Sequence, residues 1–167
     1  MKTGERLSKA ILIATQAHTG QFDKGGKPYI LHPLVVLNKL GPNASEMVQC
    51  IAVLHDVIED CTGKVIYVDG REVTISFAML TECGMPDEVV EGVRALTKMP
   101  GQTYEEYQQA VLGNHNAMLV KLEDLRTNSD LRRMKSRAIT DKDVQRVAKY
   151  MAFYAMISAK LMETESK

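Results

Sequence analysis

The spacing of apolar side chains along the chain predicts a fold built mostly from amphipathic helices. From Glu5 to His18 the apolar residues recur at the helical period. Thr103 and Glu106 fit a capping box, the signature of a helix start. The same period, with capping and breaking residues at its ends, predicts further helices over residues 33–40, 45–60, 76–83, 86–98, 103–112, 114–131 and 140–162.

Two segments depart from the helical pattern. Residues 20–33, GQFDKGGKPYILHP, contain glycines and two prolines that cannot continue a helix, and long ordered loops are commonly functional. Residues 64–75, KVIYVDGREVTI, place two β-branched runs around Asp69 and Gly70, the strongest short signal for a β-hairpin. We therefore expect an all-α helical bundle with a small hairpin excursion near residues 64–75.

Composition excludes several classes of protein. With 167 residues the chain is long enough to bury the core of a single domain, expected over residues 1–167. Its 21 basic and 21 acidic residues balance, so overall charge gives no reason to expect nucleic acid or an anionic membrane surface as a partner. No segment reaches the roughly 20 apolar residues that span a bilayer, and no pattern specifies an oligomeric state.

The cysteines indicate a reducing compartment. Cys50, Cys61 and Cys83 are odd in number and show no CxxC spacing, which argues against a disulfide framework and against a thiolate zinc site. The apolar run AILIAT near the start is too short for a signal peptide. We therefore expect a cytoplasmic protein.

The segment HDVIED, residues 55–60, concentrates metal-binding and proton-transferring side chains within an otherwise apolar helix. On a continuous helix His55 shares a face with Glu59, and Asp56 shares one with Asp60. Burying a polar side chain without a partner costs roughly 2–7 kcal/mol, so these groups require compensation. A cation is the simplest candidate.

A second polar cluster lies in KLEDLRTNSD, residues 121–130. Lys121, Asp124 and Asn128 are three and four residues apart, so they lie on one helix face. Together with the earlier helices this segment offers a set of two imidazoles and two carboxylates, which suits a divalent first-row ion such as Mn, Fe or Zn. The set consists of His32, His55, Asp56 and Asp124.

The segments AHTGQ, KGGKPYILHP, VLHDVIEDCT and KLEDLRTNSDL together resemble the HD-type phosphohydrolase domain of the RelA/SpoT family, including its short single-domain hydrolases. The motifs occur in the family's order over roughly residues 5–135. The resemblance implies hydrolysis of the 3′-pyrophosphate of ppGpp and pppGpp with Mn²⁺ as cofactor. At this length we expect no nucleotidyl-transfer domain and therefore no alarmone synthesis.

The resemblance also implies roles for individual residues. It implies metal ligation by His32, His55, Asp56 and Asp124. It implies that Glu59 and Asp60 form the catalytic pair that orients or deprotonates water. It implies substrate binding by Lys24, Tyr29, Lys121 and Asn128, with Arg126 as a further candidate for phosphate contact.

One departure from the family's pattern concerns the base. Where the well-studied hydrolases carry an Arg-Lys pair before the PYI-x-HP motif, this chain has Asp23 and Lys24. A carboxylate cannot stack on guanine as a guanidinium does, although it accepts hydrogen bonds from a base edge. The resemblance therefore supports the metal chemistry more directly than it supports the substrate. Separately, the long hairpin at residues 64–75 is expected to reshape the pocket rim.

Two alternatives stay open at this point. Beside hydrolysis of (p)ppGpp, the chain could be a metal-dependent phosphatase or pyrophosphatase of another nucleotide. It could also be a non-catalytic module that senses a nucleotide, although a sensor has no need of Glu59 and Asp60. His18 is expected to be a buried core histidine, with support of a site residue as the alternative, and His115 is expected to be a surface residue. The basic residues at the end of the 114–131 helix complement its dipole and are Arg132, Arg133, Lys135 and Arg137.

Overall fold

Helices account for most of the fold in the computed structural model, which describes residues 4–133 and 138–165. The helices are α1 Glu5–Ala17, α2 Leu31–Lys39, α3 Glu46–Leu54, α4 Val57–Cys61, α5 Phe77–Glu82, α6 Asp87–Leu96, α7 Tyr104–Leu112, α8 His115–Asn128 and α9 Asp141–Glu165. A 3₁₀ turn covers Leu131–Arg133, and the strands are β1 Val65–Val68 and β2 Arg71–Thr74. The prediction of an all-α bundle with a small hairpin is confirmed. Lys135 and Arg137 of the basic run lie outside the described residues.

Helix α3 is the centre of the core. Its residues from Cys50 to Leu54 are fully buried, and α1, α2, α6 and α8 pack around it. Gly92 allows α6 to come close, because a Cβ atom at that position would lie 2.4 Å from Cδ1 of Ile51. The C-terminal end of α3, where His55 follows, is therefore held by packing on several sides.

Side-chain caps fix the helix starts that the sequence predicted. Ser45 accepts a hydrogen bond from the amide of Val48 at the start of α3. Thr103 and Glu106 form the predicted capping box of α7, and Asn114 caps α8. Each cap satisfies an amide that has no partner within its helix.

Several helix boundaries differ from the prediction, and three of them bear on the site. The helix expected through residues 55–60 is interrupted: α3 ends at Leu54, α4 begins at Val57, and Asp56 is the N-cap of α4 with φ −98° and ψ −8°. Helix α8 ends at Asn128 rather than at residue 131. Helix α2 begins two residues before Pro33, which its first turn tolerates because the amides there need no intrahelical partner.

The hairpin is closed by Asp69 and Gly70, whose φ angles of 51° and 77° fit the type I′ turn predicted from this dipeptide. Hydrogen bonds and an ion pair hold the hairpin against α1. The Gln16 amide donates to the carbonyl of Tyr67 and accepts from its N–H, at 2.5 and 2.8 Å. Lys9 pairs with Asp69 at 2.7 Å.

The described residues contain no helix that is both long and apolar enough to cross a membrane.

Candidate metal centre and adjoining cavity

The structure brings the four predicted metal ligands together from three parts of the chain. His32 lies in the first turn of α2, His55 follows α3, Asp56 precedes α4, and Asp124 lies in α8. Nε2 of His32 lies 3.1 Å from Oδ1 of Asp124 and 3.5 Å from Oδ2 of Asp56. Nε2 of His55 lies 3.0 Å from Oδ2 of Asp56 and 3.8 Å from Oδ1 of Asp124.

The tautomer of His55 shows that this cluster suits a cation. Its Nδ1 lies 2.7 Å from the carbonyl oxygen of Ala52, which only accepts, so Nδ1 carries the proton. Nε2 is then the ring nitrogen that faces the site: it is buried and lies 3.0 and 3.8 Å from the carboxylates of Asp56 and Asp124, where it can hold either a proton or, once that proton is lost, a metal ion. His32, His55 and Asp56 offer ligand atoms within 4.8 Å of one another, close enough to hold one metal ion, and Asp124 adjoins both imidazoles.

The electrostatics of the cluster also favour a bound cation. Burial lowers the pKa of His55, but the carboxylates of Asp56 and Asp124 outweigh it and hold that pKa well above its usual value. Burial would raise the pKa of Asp124, yet Lys121 and the two imidazoles hold it well below its ordinary range. Carboxylates that stay ionised in a buried pocket create a strong local preference for positive charge.

Three residues that the resemblance assigned to the substrate also contact the ligand carboxylates. The Tyr29 hydroxyl donates to Oδ2 of Asp56 at 2.6 Å. Lys121 donates to Oδ2 of Asp124 at 2.8 Å, and the Asn128 amide donates to Oδ1 at 2.6 Å. These hydrogen bonds orient the carboxylates, as partners of metal ligands commonly do. The predicted alignment of Lys121, Asp124 and Asn128 on one helix face is confirmed.

The pair Glu59 and Asp60 lies on α4 at the solvent side of the cluster, and both residues are exposed. Oε2 of Glu59 accepts the amide of Lys98 at 2.8 Å. Loss of water around the carboxylate raises the pKa of Glu59, against the opposing effect of that amide. A carboxylate with a raised pKa is better suited to take a proton near neutral pH.

Asp60 is held by a hydrogen-bonded chain that the sequence did not suggest. The Gln21 amide nitrogen donates to Oδ2 of Asp60 at 2.8 Å. The Gln21 amide oxygen lies 2.7 Å from Nδ1 of His18. His18 is buried as expected, with 2% of its surface exposed, and its ring lies 4.9 Å from that of Tyr29. Burial lowers the pKa of His18, so the ring is neutral and its Nδ1–H donates to Gln21.

A cavity of about 380 Å³ adjoins the cluster. Tyr29 and Asn128 line it and also bond the ligand carboxylates, so the cavity and the cluster share a wall. Its lining residues combine basic, acidic and aromatic side chains and are Phe22, Asp23, Lys24, Gly25, Tyr29, Asn128, Asp130, Leu131, Arg146 and Tyr150.

Two lining residues, Arg146 and Tyr150, come from α9 and were missed by the sequence analysis. Their spacing of four residues places them on one helix face, but no motif marked that face as functional. Arg126, named as a candidate phosphate contact, is instead exposed, bonds Glu123 at 3.0 Å and does not line the cavity. His115 is exposed as expected.

Asp23, the departure from the family's pattern, shapes the loop that forms one side of the cavity. Its Oδ1 accepts the amides of Gly25 and Lys27 at 2.8 and 2.9 Å. Backbone bonds between Asp23 and the residues at 26 and 27 close the same turn. This turn presents Lys24 and Phe22 to the cavity.

Comparison with known proteins gives relatives but no family model that matches. The chain is 30% identical over 154 residues to a guanosine-3′,5′-bis(diphosphate) 3′-pyrophosphohydrolase of Vibrio cholerae, covering 84% of this chain and 20% of the relative. It is 32% identical over 154 residues to the bifunctional (p)ppGpp synthase/hydrolase SpoT of Escherichia coli, again covering 84% and 20%. A GTP pyrophosphokinase of Myxococcus xanthus is 27% identical over 122 residues, 72% of this chain and 15% of the relative. The chain spans about a fifth of the length of the first two relatives.

Proposed function

Because the chain belongs to the RelA/SpoT family, we propose that it is a metal-dependent phosphohydrolase that removes the 3′-pyrophosphate of (p)ppGpp. The observation that carries the proposal is the position of His55 Nε2, which the bond from Nδ1 to the Ala52 carbonyl directs at two carboxylates beside a cavity. We infer the substrate class from relatives that are named for the 3′-pyrophosphohydrolase reaction.

The cofactor that we propose is Mn²⁺, held by His32, His55, Asp56 and Asp124. Two imidazole nitrogens and two carboxylates form a mixed donor set that accommodates first-row divalent ions. Such an ion supplies Lewis-acid chemistry, which lowers the pKa of water and neutralises charge on phosphoryl oxygens.

The protein's own residues would orient the water and take up its proton. Glu59 accepts a proton from the attacking water, and Asp60, held by Gln21, lies beside it in the chain. The water oxygen bonds to the phosphorus attached at the 3′ position, the bond from that phosphorus to the sugar 3′ oxygen breaks, and the sugar oxygen takes up a proton. The products are pyrophosphate and GDP or GTP.

The cavity would hold the rest of the nucleotide. Lys24 is a cationic lining residue that can meet the phosphates, whereas Arg146 lines the cavity while paired with Asp143 at 2.9 Å. Phe22 and Tyr150 offer aromatic faces to a base. Tyr29 and Asn128 would contact the substrate where the cavity meets the metal ligands. Lys121 is less accessible to a ligand, because its ammonium is paired with Asp124 and lies over the ring of Tyr107.

A second candidate is hydrolysis of a different nucleotide. The structure of the loop around Asp23 supports this candidate. Oδ1 of Asp23 is engaged by two loop amides, and the exposed aromatic face in this part of the cavity belongs to Phe22, with 64% of its surface exposed. An aromatic face stacks on any base, whereas selection of guanine requires hydrogen bonds to its edge. Base specificity here can therefore be broader than in the relatives.

The test is incubation of Mn²⁺-loaded protein with ppGpp, with the products separated by anion-exchange chromatography. The proposal expects GDP and pyrophosphate from the wild type, and formation of these products slowed by about 10²–10⁴-fold in the Glu59→Gln variant. Absence of turnover in protein shown to hold its metal would overturn the substrate assignment. A panel of other nucleotides would then separate the second candidate from a module that only binds.

A further inference from the structure

A buried carboxylate at the start of α9 is bonded to a residue of the cavity wall. Asp143 is 1% exposed and is not among the residues that line the cavity. Its Oδ2 accepts the Thr140 amide at 3.0 Å and the Thr140 hydroxyl at 2.8 Å, and the amide of Asp143 donates to that hydroxyl at 3.4 Å. These bonds form the two halves of a capping box, which satisfies amides at the start of a helix.

The other carboxylate oxygen of Asp143 has a different role. Oδ1 lies 2.9 Å from Nη2 of Arg146, almost one turn further along α9. Capping does not require this contact, since Glu106 makes the same kind of box on α7 from an exposed position. A buried carboxylate does require compensation, and a guanidinium supplies both the opposite charge and hydrogen-bond donors.

Arg146 connects this carboxylate to the cavity. Its guanidinium is paired with Asp143, 27% of its side chain is exposed, and it lines the cavity. A guanidinium carries five N–H donors in a fixed plane, so the pair with one carboxylate oxygen leaves donors for a ligand. Ordering a long arginine side chain on binding costs affinity. The pair with Asp143 restricts the side chain before a ligand arrives, so less of that cost falls on binding.

We propose that Asp143 is a positioning residue, which holds the guanidinium of Arg146 in the cavity wall so that its remaining N–H groups donate to the acceptor groups of the nucleotide. The inference rests on the proposed function for the class of ligand. Both residues belong to α9, which supplies none of the four metal-ligand candidates. Loss of the pair should therefore weaken nucleotide binding and raise KM, with metal binding and kcat unchanged.

The test is the dissociation constant of GDP, measured by isothermal titration calorimetry on the full chain in the presence of Mn²⁺. GDP carries no 3′-pyrophosphate, so it is not turned over by the proposed reaction. Asp143→Asn keeps an oxygen that can accept the Thr140 amide but loses the charge that faces Arg146, and it should raise Kd about 3–10-fold. Arg146→Gln leaves the cap intact and should raise Kd at least as much. The matched control is Glu91→Gln, which breaks an exposed pair with Arg94 at the same spacing on α6 and should leave Kd unchanged.

A double-mutant cycle separates positioning from a purely structural role. If Asp143 acts through Arg146, adding Asp143→Asn to Arg146→Gln should change Kd less than about twofold. Thr140→Val removes the hydroxyl of the cap, so it should lower the melting temperature and leave Kd unchanged. A full effect of Asp143→Asn in the presence of Arg146→Gln would overturn the proposal, because the carboxylate would then act without the arginine.

The same variants distinguish this inference from the proposed reaction. Coupling between Asp143 and Arg146 in GDP binding, in a protein that does not hydrolyse ppGpp, would support the positioning role and contradict only the reaction. Hydrolysis of ppGpp without that coupling would contradict only the positioning role.

Discussion

Nε2 of His55 lies 3.0 Å from Oδ2 of Asp56, although the two residues are neighbours in the chain. On a continuous helix adjacent side chains diverge by about 100°. The pair lies where α3 ends at Leu54 and α4 begins at Val57, with backbone angles of φ −58° and ψ −33° at His55 and φ −98° and ψ −8° at Asp56. Two adjacent side chains therefore face one site at the junction of the two helices.

Removal of a ligand carboxylate is expected to abolish metal binding and activity together. Asp56→Ala should reduce the bound Mn²⁺ from about one ion per chain to a trace, measured by elemental analysis after gel filtration. Added Mn²⁺ should raise the melting temperature of the wild type and leave that of the variant unchanged, because only a folded site binds the ion. Asp87→Asn, at an exposed position on α6, is the control and should behave as the wild type.

Glu59→Gln is expected to separate metal binding from turnover. The variant keeps an oxygen that can accept the Lys98 amide, so the local fold should persist. It loses the proton acceptor, for which a decrease in kcat of about 10²–10⁴-fold is typical. Metal content and kcat are measured on the same preparation. Full activity in this variant would show that Glu59 does not activate the water.

Gln21→Met is expected to lower kcat through Asp60. The variant retains the volume of the side chain but loses the donor to Asp60 and the acceptor for His18. Loss of one hydrogen bond to a charged group corresponds to about a tenfold decrease. KM and bound metal should change little, and Gln109→Met serves as the control. Wild-type kcat in the variant would show that Asp60 does not depend on this bond.

Two variants of Asp23 should distinguish a loop role from contact with the base. Asp23→Asn retains an oxygen that can accept the amides of Gly25 and Lys27, so KM should stay near the wild-type value. Asp23→Ala removes that acceptor and should raise KM several-fold by releasing the loop that carries Lys24. An equal rise in both variants would instead assign the carboxylate charge itself to substrate binding.

The three cysteines are expected to resist thiol reagents in the folded protein. They are free and at most 2% exposed, and burial raises the pKa of Cys50 to about 12. Burial also raises the pKa of Cys61 and of Cys83. A colorimetric thiol assay at pH 8 should therefore detect no thiol before denaturant is added and three afterwards. Rapid reaction of one thiol in native protein would show that its segment opens locally.

Local chemistry was sufficient to predict much of the fold. The helical period, the caps at Ser45, Thr103 and Asn114, and the Asp69-Gly70 turn were all identifiable, because each depends on residues within a few positions of one another. The four metal-ligand candidates were also identifiable from residue type and spacing, and the structure brings them to one place. The spacing did not reveal the break between α3 and α4.

By itself, then, the sequence determined which elements form and which side chains carry the chemistry, since propensity, capping and periodicity act within a few residues. Only the tertiary structure decided how Gln21 reaches Asp60, 39 positions away, and that Arg146 and Tyr150 of α9 complete the cavity wall. Such contacts arise from the packing of helices distant in the chain, and the geometry of that packing is set by the whole core rather than by any local pattern.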